Sequence, residues 1–242
     1  MKRFLLLLVC SIFAFGAYAQ EDTIAEKKKI TEKVAQTGSR DRIVIELGFD
    51  HWNQADGKTT DVKWFSRSYG IYFMYDIILK KSRFSLAPGL GFGISNVFTS
   101  KGLVEDSVST YFTNFKDAYG VENDAVKKHK LVTSFIDVPV ELRFRAKPNK
   151  HNKSFKVAVG FKAGVLFDSH TKLKYTTATR DKPRVEKVKN YADLNRFRYG
   201  PTFRIGYGAF NVFGFYNLGE VFKDGGPAGI HPYTVGFSIN GL

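Results

Sequence analysis

The sequence predicts an all-β protein, an eight-stranded antiparallel up-and-down transmembrane β-barrel, and three observations carry that expectation. From residue 41 onward, runs of roughly ten residues alternate large apolar side chains with small or polar ones, the period of a strand with two unlike faces. The gaps between the runs alternate long and short. No later stretch approaches the roughly eighteen consecutive apolar residues of a membrane helix, so any crossing falls to strands.

The chain opens MKRFLLLLVCSIFAFGAYAQ. Lys2 and Arg3 precede an apolar stretch from Phe4 to Phe15, and Ala17-Tyr18-Ala19 has the small-residue spacing of a cleavage site. This predicts a secretory signal peptide over 1–19, cut between Ala19 and Gln20. Cys10 is the one cysteine; lipid attachment there competes with cleavage, but Val9 is a poor residue before a lipidated Cys. The processed chain then has no internal disulfide despite its oxidising destination. Residues 20–40 are charged, with Ile24, Ile30 and Val34 too far apart to form a core stripe, and are expected to be a mobile periplasmic tail ahead of a barrel domain at 41–242.

The eight expected strands are 42–52, 64–79, 84–98, 131–146, 154–169, 196–208, 211–222 and 232–242. Longer segments follow the first, third, fifth and seventh (53–63, 99–130, 170–195, 223–231), and short ones follow the second, fourth and sixth (80–83, 147–153, 209–210). Long loops on one side and tight turns on the other, with an even strand count, place both termini in the periplasm. The third strand, FSLAPGLGFGISNVF, sharpens the reading. Phe84, Leu86, Leu90, Phe92, Ile94 and Phe98 fall on one parity, while Ser85, Ala87, Gly89, Gly91, Gly93 and Ser95 fall on the other. A narrow lumen explains the second face, because long side chains from neighbouring strands need the space that small residues leave.

The remaining strands supply those long side chains. Ile43 to Phe49, Tyr69 to Ile77, Ile136 to Phe144, Phe155 to Phe167 and Tyr233 to Ile239 each keep an apolar parity. The opposite parity holds Arg42, Glu46, Asp50, Asp76, Asp137, Glu141, Arg143, Arg145, Lys156, Lys162, Asp168 and Arg204, six acids and six bases expected to form a lumen charge network. A soluble lipocalin-like barrel would invert the faces, with bulk inside and charge outside. The aromatic-heavy apolar face and the Gly-rich polar face favour the membrane form. Arg67 falls on the apolar parity near an expected interface, and the seventh strand has no clean parity.

FIDVPVELRFRA (135–146), SLAPGLGFG (85–93), FYNLGEVFKDG (215–225) and TVGFSI (234–239) resemble the strands of PorT-like outer-membrane β-barrel proteins of Bacteroidota, over roughly 41–242. The resemblance implies an eight-stranded barrel in the cell outer membrane. Some relatives of that kind are tied to protein secretion machinery, and most have no assigned activity.

Function classes can be weighed on the same residues. A formal net charge of +14 would suggest nucleic acid in a cytosolic protein, but an exported barrel meets none, and the aromatic motifs of RNA binders are missing. GLGFG (89–93) lies inside a strand with no following helix to hold a phosphate. His51, His129, His151, His170 and His231 have no metal-ligand spacing, so neither metal nor cofactor is expected. A lipid-modifying enzyme could use His51 or His170 with Asp50 or Asp168 and with Ser66 or Ser169 as nucleophile, although no catalytic residue is assigned. Lys172, Lys174, Arg180, Lys182, Arg184, Lys187 and Lys189 crowd the third long loop, where lipopolysaccharide phosphates would attract them. The second, 99–130, carries Val104, Val108, Tyr111, Phe112, Phe115, Tyr119 and Val121, which must pack on the barrel mouth or on another protein. The leading expectation is a non-enzymatic structural or accessory barrel that engages other envelope proteins, with a lipid-modifying enzyme and a small-solute channel as alternatives.

Overall fold

The computed structural model describes residues 42–54, 62–79, 82–105, 109–147, 153–177, 180–189, 193–223 and 226–241. Ala19, Gln20, the tail and Val108 lie outside them. In chain order the elements are β1 Ile43–Gln54, β2 Arg67–Met74, β3 Ile77–Ile78, β4 Phe84–Phe98, β5 Gly102–Glu105, β6 Thr110–Thr113, the short helix α1 Phe115–Tyr119, β7 Val126–Arg145, β8 Phe155–Thr177, β9 Arg180–Lys189, β10 Phe197–Tyr207, β11 Phe210–Tyr216 and β12 Ile230–Asn240.

Antiparallel pairing runs β1-β2-β4-β7-β8-β10-β11-β12, and β12 returns to β1 from Val44↔Asn240 to Gln54↔Ile230. The result is a closed ring of eight strands, with β3 continuing the line of β2 along β4. Closure leaves this ring without an edge, which lipid requires because it offers no hydrogen bonds to free backbone groups. At one end β10 turns into β11 through Gly208 and Ala209, and the positive φ of Gly208 (63°) matches the tight hairpin turns that follow strand twist. We call this the turn end, and the opposite one the loop end.

The outside of the ring is apolar and exposed. Phe73, Leu90, Phe167 and Phe237 are 56%, 58%, 56% and 65% exposed, which in water would be an untenable surface and in a bilayer is the ordinary one. On β8 the apolar band runs from Phe155 to Phe167; at about 3.3 Å per residue and a tilt near 40° it is roughly 30 Å tall, one hydrocarbon thickness. The third strand behaves as its two parities require: Leu86, Leu90, Phe92 and Ile94 are exposed, while Ser85, Ala87, Gly91 and Gly93 are buried.

The loop end departs from the sequence reading. β7 begins at Val126 and β8 continues to Thr177, so both rise beyond the band, and β9 adds a third strand along β8 from His170↔Lys189 to Thr177↔Arg180. Residues 170–195, expected as a loop, are largely sheet. Most of their length lacks the apolar alternation that marks a lipid-facing strand. Segment 99–130 folds back as the β5–β6 hairpin and α1. Leu103 and Phe112 join Leu131, Leu194, Phe222, Ile230 and Trp52 in an apolar plug, and Phe115 and Val121 pack against Leu173 and Tyr175. Packing is therefore on the barrel mouth.

Candidate functional site: a lumen of linked charges

Eight strands enclose an interior that side chains can fill. Here charged ones fill much of it. Arg145 bonds Asp76, Arg143 reaches Asp76 at 2.9 Å and Glu141 at 2.8 Å, and Arg204 joins Glu141 (3.0 Å) to Glu46 (2.7 Å). Lys162 lies 3.5 Å from Glu46 and donates to the Tyr72 hydroxyl at 3.2 Å; Tyr72 donates to Asp137 at 3.0 Å, and Arg198 grips the same carboxylate at 2.9 and 2.5 Å. One unbroken path of ten side chains thus runs from the turn end towards the loop end. Arg204 on β10 reaches Glu46 on β1 and Glu141 on β7, strands on separate sides of it in the ring, so the path crosses the lumen.

Burial makes these contacts strong and their loss expensive. Asp137 is 0% and Glu141 2% exposed, and an unpaired charge at either place would lack both water and counterion. The glycines make the fit possible. Asp137 has Gly91 and Gly164 as its register partners on the two neighbouring strands. A Cβ at Gly164 would strike the Asp137 carboxylate, and one at Gly93 would strike both that carboxylate and the Arg198 guanidinium. Beside the network, the lumen keeps a cavity of about 70 Å³ lined by Asp50, Tyr72, Phe135, Lys162, Arg198 and Phe215 and by Trp52, Leu131 and Leu194 of the plug.

The structure places ten of the twelve expected lumen charges inside: Glu46, Asp50, Asp76, Asp137, Glu141, Arg143, Arg145, Lys156, Lys162 and Arg204. Asp50 accepts from Thr234 at 2.6 Å and from Ser95. Arg42 and Asp168 are differently placed. Arg42 is exposed just before β1, where the ring has not begun. Asp168 lies beyond an irregularity at which β7 steps from Ser134 to Phe135 while β8 steps from Asp168 to Leu166. The extra residue, Phe167, is a β-bulge; it reverses the facing of everything after it, so Asp168 turns outward and bonds His170 at 3.1 Å.

Several interior residues escaped the sequence reading. Arg198 shares the parity of Arg204, and Tyr72 that of Asp76, so the alternation did mark both. Phe213 and Phe215 are buried between Asn211 and Asn217 and face the lumen, which resolves the mixed parity of that strand. They serve as platforms for cations: Lys162 stands 4.4 Å from the Phe215 ring centre, Arg204 5.9 Å from that of Phe213, and Arg198 4.0 Å from that of Phe135.

Of the alternative catalytic groups, His170 meets Asp168, but no serine joins them. Ser66 donates to the Lys63 carbonyl and accepts from the Phe98 amide, and His51 stacks on Tyr233. Ser169 is buried and pairs in register with Thr133, while adjacent His170 points to the other face. Among the described residues no cluster of three His, Asp or Glu side chains could hold a metal ion. Of the basic residues, Lys172 and Lys174 are on β8, and Arg180, Lys182, Arg184, Lys187 and Lys189 on β9.

Residues 34–219 match the family described as outer membrane protein beta-barrel domain. Among solved structures the chain is similar to Ail, the attachment invasion locus protein of Yersinia pestis, in complex with the heparin analogue sucrose octasulfate, at 12% identity over 81% of this chain and 95% of that one, with a TM-score of 0.34. No curated protein matches the chain.

Proposed function

We propose that this chain, which belongs to the outer membrane protein beta-barrel domain family, is a closed, non-enzymatic barrel that serves the outer membrane as a structural or accessory component and engages other envelope proteins at its loop end. The observation that carries this reading is the ion-paired path across the lumen, which fills the route a solute would take. Within the proposal, 1–19 is a signal peptide cut between Ala19 and Gln20, 20–40 is a periplasmic tail, and both termini are periplasmic. The loop end then faces outward, where Lys172 to Lys189 meet lipopolysaccharide. The PorT-like motifs support membership of that Bacteroidota group and a place in secretion or assembly machinery.

Planar bilayers test the closed lumen. Wild-type protein is expected to give no steady ohmic steps; reproducible ion-selective conductance, altered by Glu141→Ala or Arg204→Ala in a still-folded barrel, would establish a channel instead. Trypsin added to intact cells is expected to cut among Lys172 to Lys189 and to spare Lys80 and Lys81. Crosslinking in native membranes followed by mass spectrometry identifies the partner, and recovery of the barrel without any envelope protein attached would remove the accessory role.

A further inference from the structure

The bulge at Phe167 has a second effect. Residues opposite one another in register share a face of the sheet. Beyond the bulge, Lys128 and Lys130 of β7 stand opposite Lys174 and Lys172 of β8, and Lys172 stands opposite Lys187 of β9, with His170 opposite Lys189. Six lysines and a histidine therefore occupy one face of a three-stranded sheet. The other face is committed elsewhere: Leu173 and Tyr175 pack under Phe115 and Val121, Tyr175 donates to Glu186 at 2.8 Å, and Arg184 lies 3.3 Å from the same carboxylate.

Among the described residues, no ion pair joins any of the six lysines to a carboxylate. Lys128 lies 4.7 Å over the Phe98 ring, and Lys130 donates to the Asn96 amide oxygen at 2.5 Å; neither partner is an anion. Partial burial, and then the neighbouring Lys128, Lys172 and Lys187, push the Lys130 ammonium below its usual pKa. Asp168, on the same face, is taken up by His170. Like charges directly across strands destabilise a sheet, so counter-charge from outside the chain would stabilise this face.

Its height identifies the source. Lys172 is five residues past Phe167, the top of the apolar band, so it stands roughly 12 Å higher along a strand tilted near 40°. Lysine stems bend back by several ångströms to reach an interface. Headgroups occupy about the first 5–8 Å outside the hydrocarbon. We infer that this face, Lys128, Lys130, Lys172, Lys174, Lys187 and Lys189, is a clamp for phosphorylated lipid headgroups of the leaflet at the loop end. The inference deepens the lipopolysaccharide contact proposed above and rests on its placement of the loop end. It moves the contact from a loop to one sheet face, adds the β7 lysines Lys128 and Lys130, and leaves out Arg180, Lys182 and Arg184.

The test compares two double variants of equal charge change in the full processed chain, folded in detergent: Lys172→Gln/Lys187→Gln on the clamp face, and Lys116→Gln/Arg184→Gln away from it, where each residue already has a carboxylate partner. Binding of bisphosphorylated lipid A is measured in chelator, which removes bridging divalent cations. The clamp variant is expected to weaken binding at least tenfold and the control less than twofold, with phosphate-free lipid A binding no better to wild type than to the clamp variant. Equal losses in both variants, or undiminished binding of phosphate-free lipid, would overturn the clamp. So would inorganic phosphate or a soluble sulfated polysaccharide binding as tightly as the lipid, since the source would then be a free anion. Protection of the bonds after Arg180 and Arg184, which are outside the clamp, from trypsin on intact cells would instead overturn the outward placement, while the detergent measurement would still report on the clamp.

Discussion

The lumen and the sheet beyond the bulge are both rich in charge, yet they neutralise it in opposite ways. Inside, Arg204 lies between Glu46 and Glu141, and Asp137 is gripped by Arg198 and Tyr72. On the sheet, Lys172 faces Lys130 and Lys187. The lumen charges are buried, so they must be paired by the chain itself; the sheet lysines are largely exposed, so their charges can be met from outside. Local charge composition thus reports solvent access as much as function.

The comparison breaks most sharply at Asp137. Asp137→Ala leaves Arg198 buried without its partner and is expected to cost about 3–5 kcal/mol, read as a lower urea midpoint of the detergent-folded barrel. A shift within experimental error would mean that water reaches the lumen.

Acid acts next, on the seam between the two regions. His129 of β7 is buried, bonds Thr99 at 2.6 Å, and is held down to a pKa of about 4 by that burial. The unfolded ring, near 6.5, takes up a proton first, so the stability contributed by the neutral ring is fully present above about pH 6.5 and is lost as pH falls towards 4, up to about 3 kcal/mol. Hydrogen exchange of the 99–130 segment should quicken over that window, and His129→Gln should flatten the change.

Filling the space beside Asp137 is the next smaller effect. Gly164→Ala places a methyl against the carboxylate and should cost about 1–3 kcal/mol in the same denaturation assay, whereas Ala163→Val, on the lipid side of the same strand, should be nearly neutral. On the sheet the sign reverses. Lys172→Gln removes a like-charge contact and should stabilise lipid-free protein by a few tenths of a kcal/mol, an increment that disappears in high salt.

The barrel wall was legible because alternation is a local property. Phe84 to Ile94 against Ser85 to Gly93 separates a bulky apolar face from a small one without reference to any other strand, and Tyr69 to Phe73 repeats the apolar half. Loop lengths supplied the order of turns in the same local way. Ten of the lumen charges followed from that alternation, but their partners did not, because Glu46 and Arg204 are 158 residues apart and meet only when β12 closes on β1. Phe213 and Phe215 were ambiguous because an interior that holds cations accepts aromatic faces as readily as lipid does. The facing of Asp168 and of the lysines beyond it depended on one unpaired residue, Phe167, and a bulge is a property of two strands in register. The sequence by itself determined a membrane barrel with a charged, glycine-relieved lumen, since period, composition and loop length are written along one strand at a time. Which charges pair, and which face the lysines present, only the tertiary structure decided, because closure and register are relations between strands far apart in the chain.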